Sequence, residues 1–263
     1  MRSSSDLASI HVVIPARFGS TRLPGKPLID LAGEPMIVRV YEAVRAALHE
    51  TVDIVVATDD ERIVGSLEAY RIPVRMTDPE HQSGTDRCAQ VARELGWSPD
   101  DLVVNVQGDE PLVPQLLLAS FVQFCANAQA FDMATVAVPL TEVSHLTDPN
   151  VVKLVVGAQG QAIVFSRSAI PFCRDLPQDE WPLSAYLRHV GIYAYRCSAL
   201  YRLTETPSCE LEELERLEQM RAIWLGMPIH VFEWPEPPPP GVDTKEDVAR
   251  VREILFVNAS GRS

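Results

Sequence analysis

Short apolar runs alternate with amphipathic segments through the first half of the chain. The runs that predict buried strands lie at residues 11–16, 53–59, 74–77 and 102–107. The apolar positions of the first predicted helix are Ile37, Tyr41, Val44 and Leu48. A second helix is predicted from an N-cap at Asp59 or Asp60 to Tyr70, and a third over residues 85–95. This alternation predicts a parallel sheet with helices on both faces.

The pattern changes after about residue 125. Further strands are predicted over residues 133–140, 151–156, 161–165, 189–195 and 229–234. One amphipathic helix is predicted over residues 210–225, and its apolar stripe is Leu211, Leu214, Leu217 and Met220. A proline-rich connector over residues 235–240 leads to a closing helix over residues 244–257, with Thr244 as its N-cap. The second half therefore predicts a mixed-sheet elaboration of an α/β core.

Composition narrows the class of protein. The chain has 263 residues, of which 46% are hydrophobic, and no apolar run reaches the roughly 18–20 residues of a membrane helix. The first residues lack the pattern of a signal peptide, so a cytoplasmic protein is expected. The five cysteines are scattered and form no CxxC pair, which argues against a disulfide framework or a zinc site. The net charge of −13 disfavours nucleic acid or an acidic membrane as a partner.

A basic, glycine-containing loop follows the first predicted strand. Between His11 and Ile29 there are three positive charges and no acid. The loop is neither a Walker motif nor a GxGxxG fingerprint, because five residues separate Gly19 from Gly25 and Pro27 follows the lysine. The side chains that could bind phosphate are Arg17, Ser20, Thr21, Arg22 and Lys26. A phosphate-binding loop is favoured over a solvated basic loop.

Two aspartates are candidate ligands for a magnesium ion. Asp109 ends the run 102–109 at the expected carboxyl edge of the sheet, and Asp243 lies just before the closing helix. Magnesium prefers hard oxygen ligands, often one or two carboxylates with phosphate oxygens and water. Magnesium binding is the preferred interpretation for Asp109. For Asp243, capping of the closing helix is nearly as good an explanation.

Nine segments together resemble the family of 3-deoxy-manno-octulosonate cytidylyltransferases, also called CMP-Kdo synthetases. The segments are IPARFGSTRLPGKPL, ATDDERI, HQSGTDR, VNVQGDEP, DPNVVKLV, FSRSAIPF, LRHVGIYAYR, LEELERLEQMRAIWLG and GVDTKEDVARV. The resemblance implies a nucleotidyltransferase-type α/β fold, a Rossmann-like three-layer sandwich with a mostly parallel sheet and a mixed-sheet dimerisation elaboration. It also implies a homodimer that uses Mg²⁺ to convert CTP and the sugar acid Kdo into CMP-Kdo and pyrophosphate, for lipopolysaccharide synthesis.

The resemblance also implies a single domain over residues 1–263. Its nucleotide-binding half would span residues 10–125, and its sugar-binding and dimerisation elaboration residues 130–234. The closing helix with its metal aspartate would span residues 241–257. Two segments depart from the family pattern, Phe172–Cys173 in place of Trp-Asp and the proline run 237–240.

The same resemblance assigns roles to individual residues. The triphosphate would contact Arg17, Ser20, Thr21, Arg22 and Lys26, and the cytidine side Ser83 and Arg87. Magnesium would be held by Asp109 and Asp243, and the catalytic set would be Arg22, Lys26, Asp109 and Asp243. The sugar pocket would be lined by Gln107, Arg167, His189, Tyr193, Glu218 and Gln219, with Gln107 also near the nucleotide.

Structural roles remain open for several of these residues. Ser83 to Arg87 could be a helix start, and His189 a satisfied structural histidine. Tyr193 could be a core residue and Glu218 a solvated side chain. Arg167 would pair with the sugar carboxylate or, alternatively, with an internal acid such as Asp175.

The expected reaction is an in-line attack of the sugar's anomeric hydroxyl on the α-phosphate. Arg22 and Lys26 would stabilise the leaving charge. No general base is evident, so activation of the hydroxyl by the metal is expected. Alternatives are a cytidylyltransferase for 8-amino-Kdo or sialic acid, a sugar-1-phosphate nucleotidyltransferase, and a catalytically silent nucleotide-binding protein. The segments QSGT and RHVGIY favour Kdo.

Overall fold

The computed structural model describes residues 8–19, 23–48, 52–128 and 131–260 and shows a mixed α/β fold. The strands are β1 Ile10–Ala16, β2 Asp30–Leu31, β3 Glu34–Pro35, β4 Asp53–Thr58, β5 Val74–Met76, β6 Leu102–Asn105, β7 Met133–Pro139, β8 Lys153–Val156, β9 Ala162–Ser166, β10 Leu187–Arg196 and β11 Ile229–Glu233. The α-helices are α1 Met36–Leu48, α2 Glu61–Ala69, α3 Gly84–Glu94, α4 Gln115–Asn127, α5 Ser144–Thr147, α6 Cys197–Glu205, α7 Glu210–Glu215, α8 Gln219–Trp224 and α9 Lys245–Ser260.

Contacts divide the chain into two compact units. The first unit is Met1–Ser120 with Pro238–Ser263, and the second is Phe121–Pro237. These boundaries lie close to the predicted limits of the elaboration at residues 130–234. The prediction that the whole chain is one domain stays a prediction.

The first unit contains a parallel sheet in the order β6-β1-β4-β5. Its four strands confirm the four apolar runs predicted in the first half of the chain. β1 pairs with β4 on one side and β6 on the other, and the side chains of Val12, Val13 and Ile14 are fully buried. All four strands run the same way, so their carboxyl ends meet along one edge of the sheet.

Side-chain caps fix where three helices of the first unit begin. The Asp60 carboxylate accepts a hydrogen bond from the Arg62 amide at 2.9 Å, so Asp60 is the N-cap of α2. At the start of α9, the Thr244 amide donates to Asp247 and the Asp247 amide donates to the Thr244 hydroxyl. The predicted cap of the closing helix is therefore confirmed. Ser83 makes the equivalent reciprocal cap on α3.

The second unit contains the strand order β11-β7-β10-β8-β9. β11 is parallel to β7, whereas the pairs β7–β10, β10–β8 and β8–β9 are antiparallel. β8 and β9 form a hairpin from the strands predicted over residues 151–156 and 161–165. The β10–β7 register shifts between Val190 and Tyr193, which partner the neighbouring residues Val136 and Thr135. Two residues of β10 therefore bulge out of the ladder.

The single helix predicted over residues 210–225 is wrong. The structure has two short helices, α7 and α8, separated at Arg216, whose φ of 52° is left-handed. The expected stripe does not face one core, because Leu214 is 74% exposed whereas Leu217 is 6% exposed. The prediction also missed α4 and α6.

In the part of the chain that the structure describes, no helix combines the length and the apolar character needed to cross a membrane. All five cysteines are free, and burial raises the pKa of the Cys125 thiol to about 12.

Candidate active site

A close backbone approach at Gly108 shapes the carboxyl edge of the first unit's sheet. A Cβ atom on Gly108 would lie 2.6 Å from the carbonyl oxygen of Pro15, which is far inside van der Waals contact. Only glycine therefore lets the turn after β6 pack against the end of β1. This packing positions Asp109 beside the start of the basic loop.

A second contact brings Asp243 to the same edge from a distant part of the sequence. The Val242 amide donates a hydrogen bond of 2.9 Å to the Asp109 carbonyl. A Cβ atom on Gly241 would lie 2.9 Å from an oxygen of Glu110 and 3.1 Å from the Asp109 carbonyl oxygen. The segment before α9 therefore lies directly against the turn that carries Asp109.

Lys26 bridges the two aspartates. Its Nζ atom donates to Oδ2 of Asp109 at 2.6 Å and to Oδ1 of Asp243 at 2.9 Å. Burial acts to lower the pKa of Lys26, but attraction and hydrogen bonding to Asp109 and Asp243 outweigh it and raise the pKa. The cluster thus joins two carboxylates and one ammonium and keeps a net negative charge. The predicted contact of Lys26 with the triphosphate stays a prediction.

The rest of the predicted phosphate loop lies beside this cluster in sequence. Gly25 has a left-handed φ of 67°, and its amide donates to the Phe18 carbonyl, which closes the turn before Lys26. Arg17 is exposed. The other predicted loop residues, Ser20, Thr21 and Arg22, lie outside the described residues.

Two residues predicted for the cytidine side have structural partners. Ser83 is the N-cap of α3, and its hydroxyl accepts from the Asp86 amide at 3.1 Å and contacts the Asp86 carboxylate at 2.7 Å. Arg87 is 3% exposed and donates to Asp59 at 2.6 Å and to the Thr77 hydroxyl at 2.6 Å. Both side chains stabilise local structure, and their contact with cytidine stays a prediction.

Gln107 lies two residues beyond the end of β6. Its amide donates to the Asn105 side-chain oxygen at 3.4 Å. The Asn105 side chain is 1% exposed, and its Nδ2 atom has no hydrogen-bond partner within the described ranges. A buried amide without an acceptor is unfavourable, so Asn105 is a further candidate donor at this edge. Sequence reasoning missed it, although an asparagine that ends an apolar strand was a visible signal.

In the second unit, Arg167 is held by backbone carbonyls. Its Nε donates to the Glu215 carbonyl at 2.6 Å, one terminal nitrogen to Pro149 at 2.6 Å and the other to Arg216 at 3.3 Å. The Glu215 carboxylate also accepts from the Arg167 amide at 2.9 Å. Asp175, proposed from sequence as an internal partner, is not among these acceptors. The guanidinium is therefore fixed in direction before any ligand binds.

Lys153 reinforces this arrangement from β8. Its side chain is fully buried, and Nζ donates to the carbonyl oxygens of Asp148, Val151 and Arg167. Burial lowers the pKa of Lys153. Sequence reasoning assigned no role to Lys153 or to Glu215, because neither partner is near Arg167 in sequence.

His189 and Tyr193 lie together on β10. Their ring centroids are 5.3 Å apart, and the His189 ring also meets Phe165 edge-on at 5.2 Å. Burial, with a smaller effect from the positive charge of Arg188, lowers the pKa of His189 to about 3. Burial and the nearby Glu218 raise the pKa of Tyr193. Both rings are therefore uncharged at neutral pH.

Glu218 and Gln219 complete the predicted sugar set in the second unit. Glu218 is exposed at the start of α8 and is close enough to Tyr193 to influence its pKa. Gln219 is 3% exposed, and its Nε2 atom has no hydrogen-bond partner among the residues that the structure describes. A buried amide donor of this kind is suited to a polar ligand.

Comparisons with known proteins show the family of the chain. Residues 11–229 match the sequence model of a family described as cytidylyltransferase. A protein of Paraburkholderia phytofirmans named 3-deoxy-manno-octulosonate cytidylyltransferase 2 is 97% identical, with 100% of both chains covered. A protein of Burkholderia ambifaria with the same name is 57% identical, and the match covers 97% of this chain and 96% of that one.

A solved structure gives the same result. The structure of a CMP:2-keto-3-deoxy-manno-octonic acid synthetase complexed with CTP is 36% identical and matches with a TM-score of 0.87. The match covers 95% of this chain and 100% of that chain. The mixed α/β fold and the family predicted from the motifs are thus confirmed, and the chain belongs to the cytidylyltransferase family, among the 3-deoxy-manno-octulosonate cytidylyltransferases.

Proposed function

We propose that the chain transfers CMP from CTP to the anomeric hydroxyl of Kdo and releases pyrophosphate. The observation that carries this proposal is the cluster of Lys26, Asp109 and Asp243 at the carboxyl edge of a parallel sheet. Ligands bind at that edge in open α/β sheets. The names of the 97% and 57% identical relatives supply the sugar acid.

Two carboxylates in one cluster fit a magnesium ion. In the described ranges no group of three or more His, Cys, Asp or Glu side chains could hold a metal. We propose Asp109 and Asp243 as its ligands because both carboxylates meet at Lys26, and phosphate oxygens and water would complete the coordination. Bound magnesium would neutralise phosphate charge and lower the pKa of the attacking hydroxyl.

The chain's own residues would position the reactants. Lys26 would supply one positive charge to the triphosphate, and Arg22 would add a second one to the leaving pyrophosphate. Such charge neutralisation and alignment are most of what phosphoryl transfer requires of a protein. Arg17, Ser20 and Thr21 would hold the remaining phosphate oxygens.

The second unit would bind the sugar acid. Among the described residues, Arg167 donates three of its five N–H groups to carbonyls, and we propose that the other two bind the substrate carboxylate. His189, Tyr193 and Gln219 offer uncharged polar atoms suited to hydroxyl groups. We also propose that Glu218 borders the sugar, as the family resemblance implies. The predicted contacts of Gln107, which lies in the first unit, stay predictions.

A pyrophosphate-release assay tests the function directly. Purified protein with Mg²⁺ should release pyrophosphate when CTP and Kdo are both present and not when either is omitted. Parallel reactions with 8-amino-Kdo, sialic acid and a sugar 1-phosphate rank the alternative substrates. A silent nucleotide-binding protein would bind CTP without release in any of these reactions, and that result would overturn the proposal.

We further propose a cytoplasmic homodimer that supplies activated Kdo for lipopolysaccharide synthesis. The second unit exposes the large apolar side chains Ile163, Phe172 and Leu176, and such side chains are common in subunit interfaces. Light scattering at micromolar concentration should give twice the 29.1 kDa chain mass. A monomer at that concentration would contradict the dimer.

A further inference from the structure

Thr135 is a fully buried polar residue in β7, opposite the bulge of β10. Its hydroxyl oxygen lies 2.9 Å from the Ile192 carbonyl oxygen and 3.4 Å from that of Val190. The same oxygen lies 2.9 Å from Nε2 of His189. At the bulge, two carbonyls and one imidazole of β10 thus surround one hydroxyl of β7.

The proton positions follow from the types of partner. A hydroxyl has one hydrogen, and a carbonyl oxygen can only accept. The nearer carbonyl, that of Ile192, takes the Thr135 hydrogen, so the Thr135 oxygen accepts from Nε2–H of His189. Because burial keeps the imidazole neutral, the other ring nitrogen, Nδ1, carries a lone pair.

The Nδ1 atom remains available to a ligand. Of the residues that the structure describes, none hydrogen-bonds to Nδ1. The His189 backbone amide donates to the Val152 carbonyl. The ring is also held by its contacts with Phe165 and Tyr193. Two ring contacts and one hydrogen bond, to Thr135, therefore fix the orientation of the His189 ring.

We propose that Thr135 is a positioning residue that holds His189 in the Nε2–H tautomer, so that Nδ1 accepts a hydrogen bond from a hydroxyl of the sugar acid. This proposal rests on the proposed function, because it takes His189 to contact the sugar. The lone pair of a neutral Nδ1 attracts a hydroxyl and repels a carboxylate. His189 would therefore bind a sugar hydroxyl, and Arg167 would bind the substrate carboxylate.

The tautomer can be measured without turnover. Nitrogen-15 NMR of histidine-labelled protein distinguishes a protonated Nε2 from a protonated Nδ1. The wild type should show His189 with Nε2 protonated, and Thr135→Val, which keeps the shape but removes the hydroxyl, should shift the tautomer or mix the two. Thr135→Ser should restore the wild-type spectrum. A wild-type ring protonated on Nδ1 would overturn the proposal.

Kinetics test whether the tautomer matters to the sugar. Thr135→Val should raise KM for Kdo by roughly three- to tenfold, the scale of one hydrogen bond, and leave KM for CTP unchanged. Thr204→Val is the matched control, because among the described residues the Thr204 hydroxyl bonds only to carbonyls of its own helix, α6. Thr204→Val should leave both KM values unchanged.

A double variant shows whether Thr135 acts through His189. In a His189→Ala background, Thr135→Val should cause no further rise in KM for Kdo. An equal rise in both backgrounds, or no rise in the wild-type background, would overturn the positioning role. Failure of the proposed function itself would appear separately, as wild-type protein that releases no pyrophosphate with Kdo.

Discussion

The two units hold their candidate binding residues in different ways. In the first unit, charged side chains compensate one another and stay partly accessible, with Lys26 13%, Asp109 33% and Asp243 50% exposed. In the second unit, Arg167 is bonded to carbonyls, and His189 is neutral and bonded to a hydroxyl.

The two units therefore differ in which existing interactions a ligand must replace when it binds. A cation or a triphosphate entering the first unit has to exchange with existing ion pairs, so its binding should depend on metal and salt. A sugar acid meeting the second unit finds donors and acceptors that are already oriented. We therefore expect substitutions in the first unit to change the charge balance and those in the second to change geometry.

The largest effect is expected from Asp109→Asn, which removes a charge with almost no change in shape. We expect turnover to fall by roughly a thousandfold or more, the scale reported for key electrostatic groups. The thermal melt should be little changed. Measuring kcat across a magnesium titration checks the prediction, with Glu246→Gln on the exposed start of α9 as the control. Near-normal activity at any magnesium concentration would contradict the metal role.

Arg167→Ala should produce the next largest effect. It removes the proposed partner of the sugar carboxylate, so KM for Kdo should rise. The rise should correspond to a loss of about 2–5 kcal/mol in binding free energy. It also removes a hydrogen-bond donor from three backbone carbonyls, so the melting temperature should fall. Arg216→Ala is a matched control, since its side chain is exposed and its carbonyl remains. A lower melting temperature with both KM values raised equally would indicate a purely structural arginine.

Lys26→Met tests the exchange expected in the first unit. Turnover should fall by roughly a hundredfold, because one positive charge near the phosphates is lost. Magnesium should nevertheless bind more tightly, because the ammonium no longer competes for Asp109 and Asp243. Isothermal titration with magnesium, compared with the kcat values, separates the two effects. Weaker magnesium binding would show that Lys26 organises the carboxylates for the metal.

The sequence predicted the first unit better than the second. The strands of the first unit are short apolar runs, and caps such as Asp60 and Thr244 are local signals. The break at Arg216 has no such local signal. The contacts that accompany its left-handed backbone come from Arg167, which is distant in sequence and donates to the carbonyls of Glu215 and Arg216. Propensity alone favours a continuous helix there.

The candidate sites show the same limit. Residue types and motifs indicated Asp109, Asp243 and His189, but not that Lys26 would bridge the two carboxylates. Thr135 was missed because a threonine in an apolar strand is an ordinary strand residue. The signal lies on another strand, because Thr135 is opposite the bulge of β10 that contains Gly191 and its hydroxyl meets His189 of that strand. The pattern of hydrophobic and polar residues does not predict which strands pair when they are distant in sequence.

The smallest effect concerns the neutral state of His189. Its folded pKa of about 3 lies below the unfolded value of 6.5. The unfolded chain therefore binds a proton first as pH falls. The stability that this histidine contributes is complete above pH 6.5 and is lost as pH falls towards 3. The wild type should lose up to about 1.4 kcal/mol more per pH unit than His189→Gln, which has no titrating ring. Urea unfolding at intervals between pH 7 and pH 4 gives both curves, and their difference removes the other titrating groups that the two proteins share. Parallel curves would mean that His189 takes up its proton at the same pH in the folded and unfolded chains, so that the fold does not favour the neutral ring.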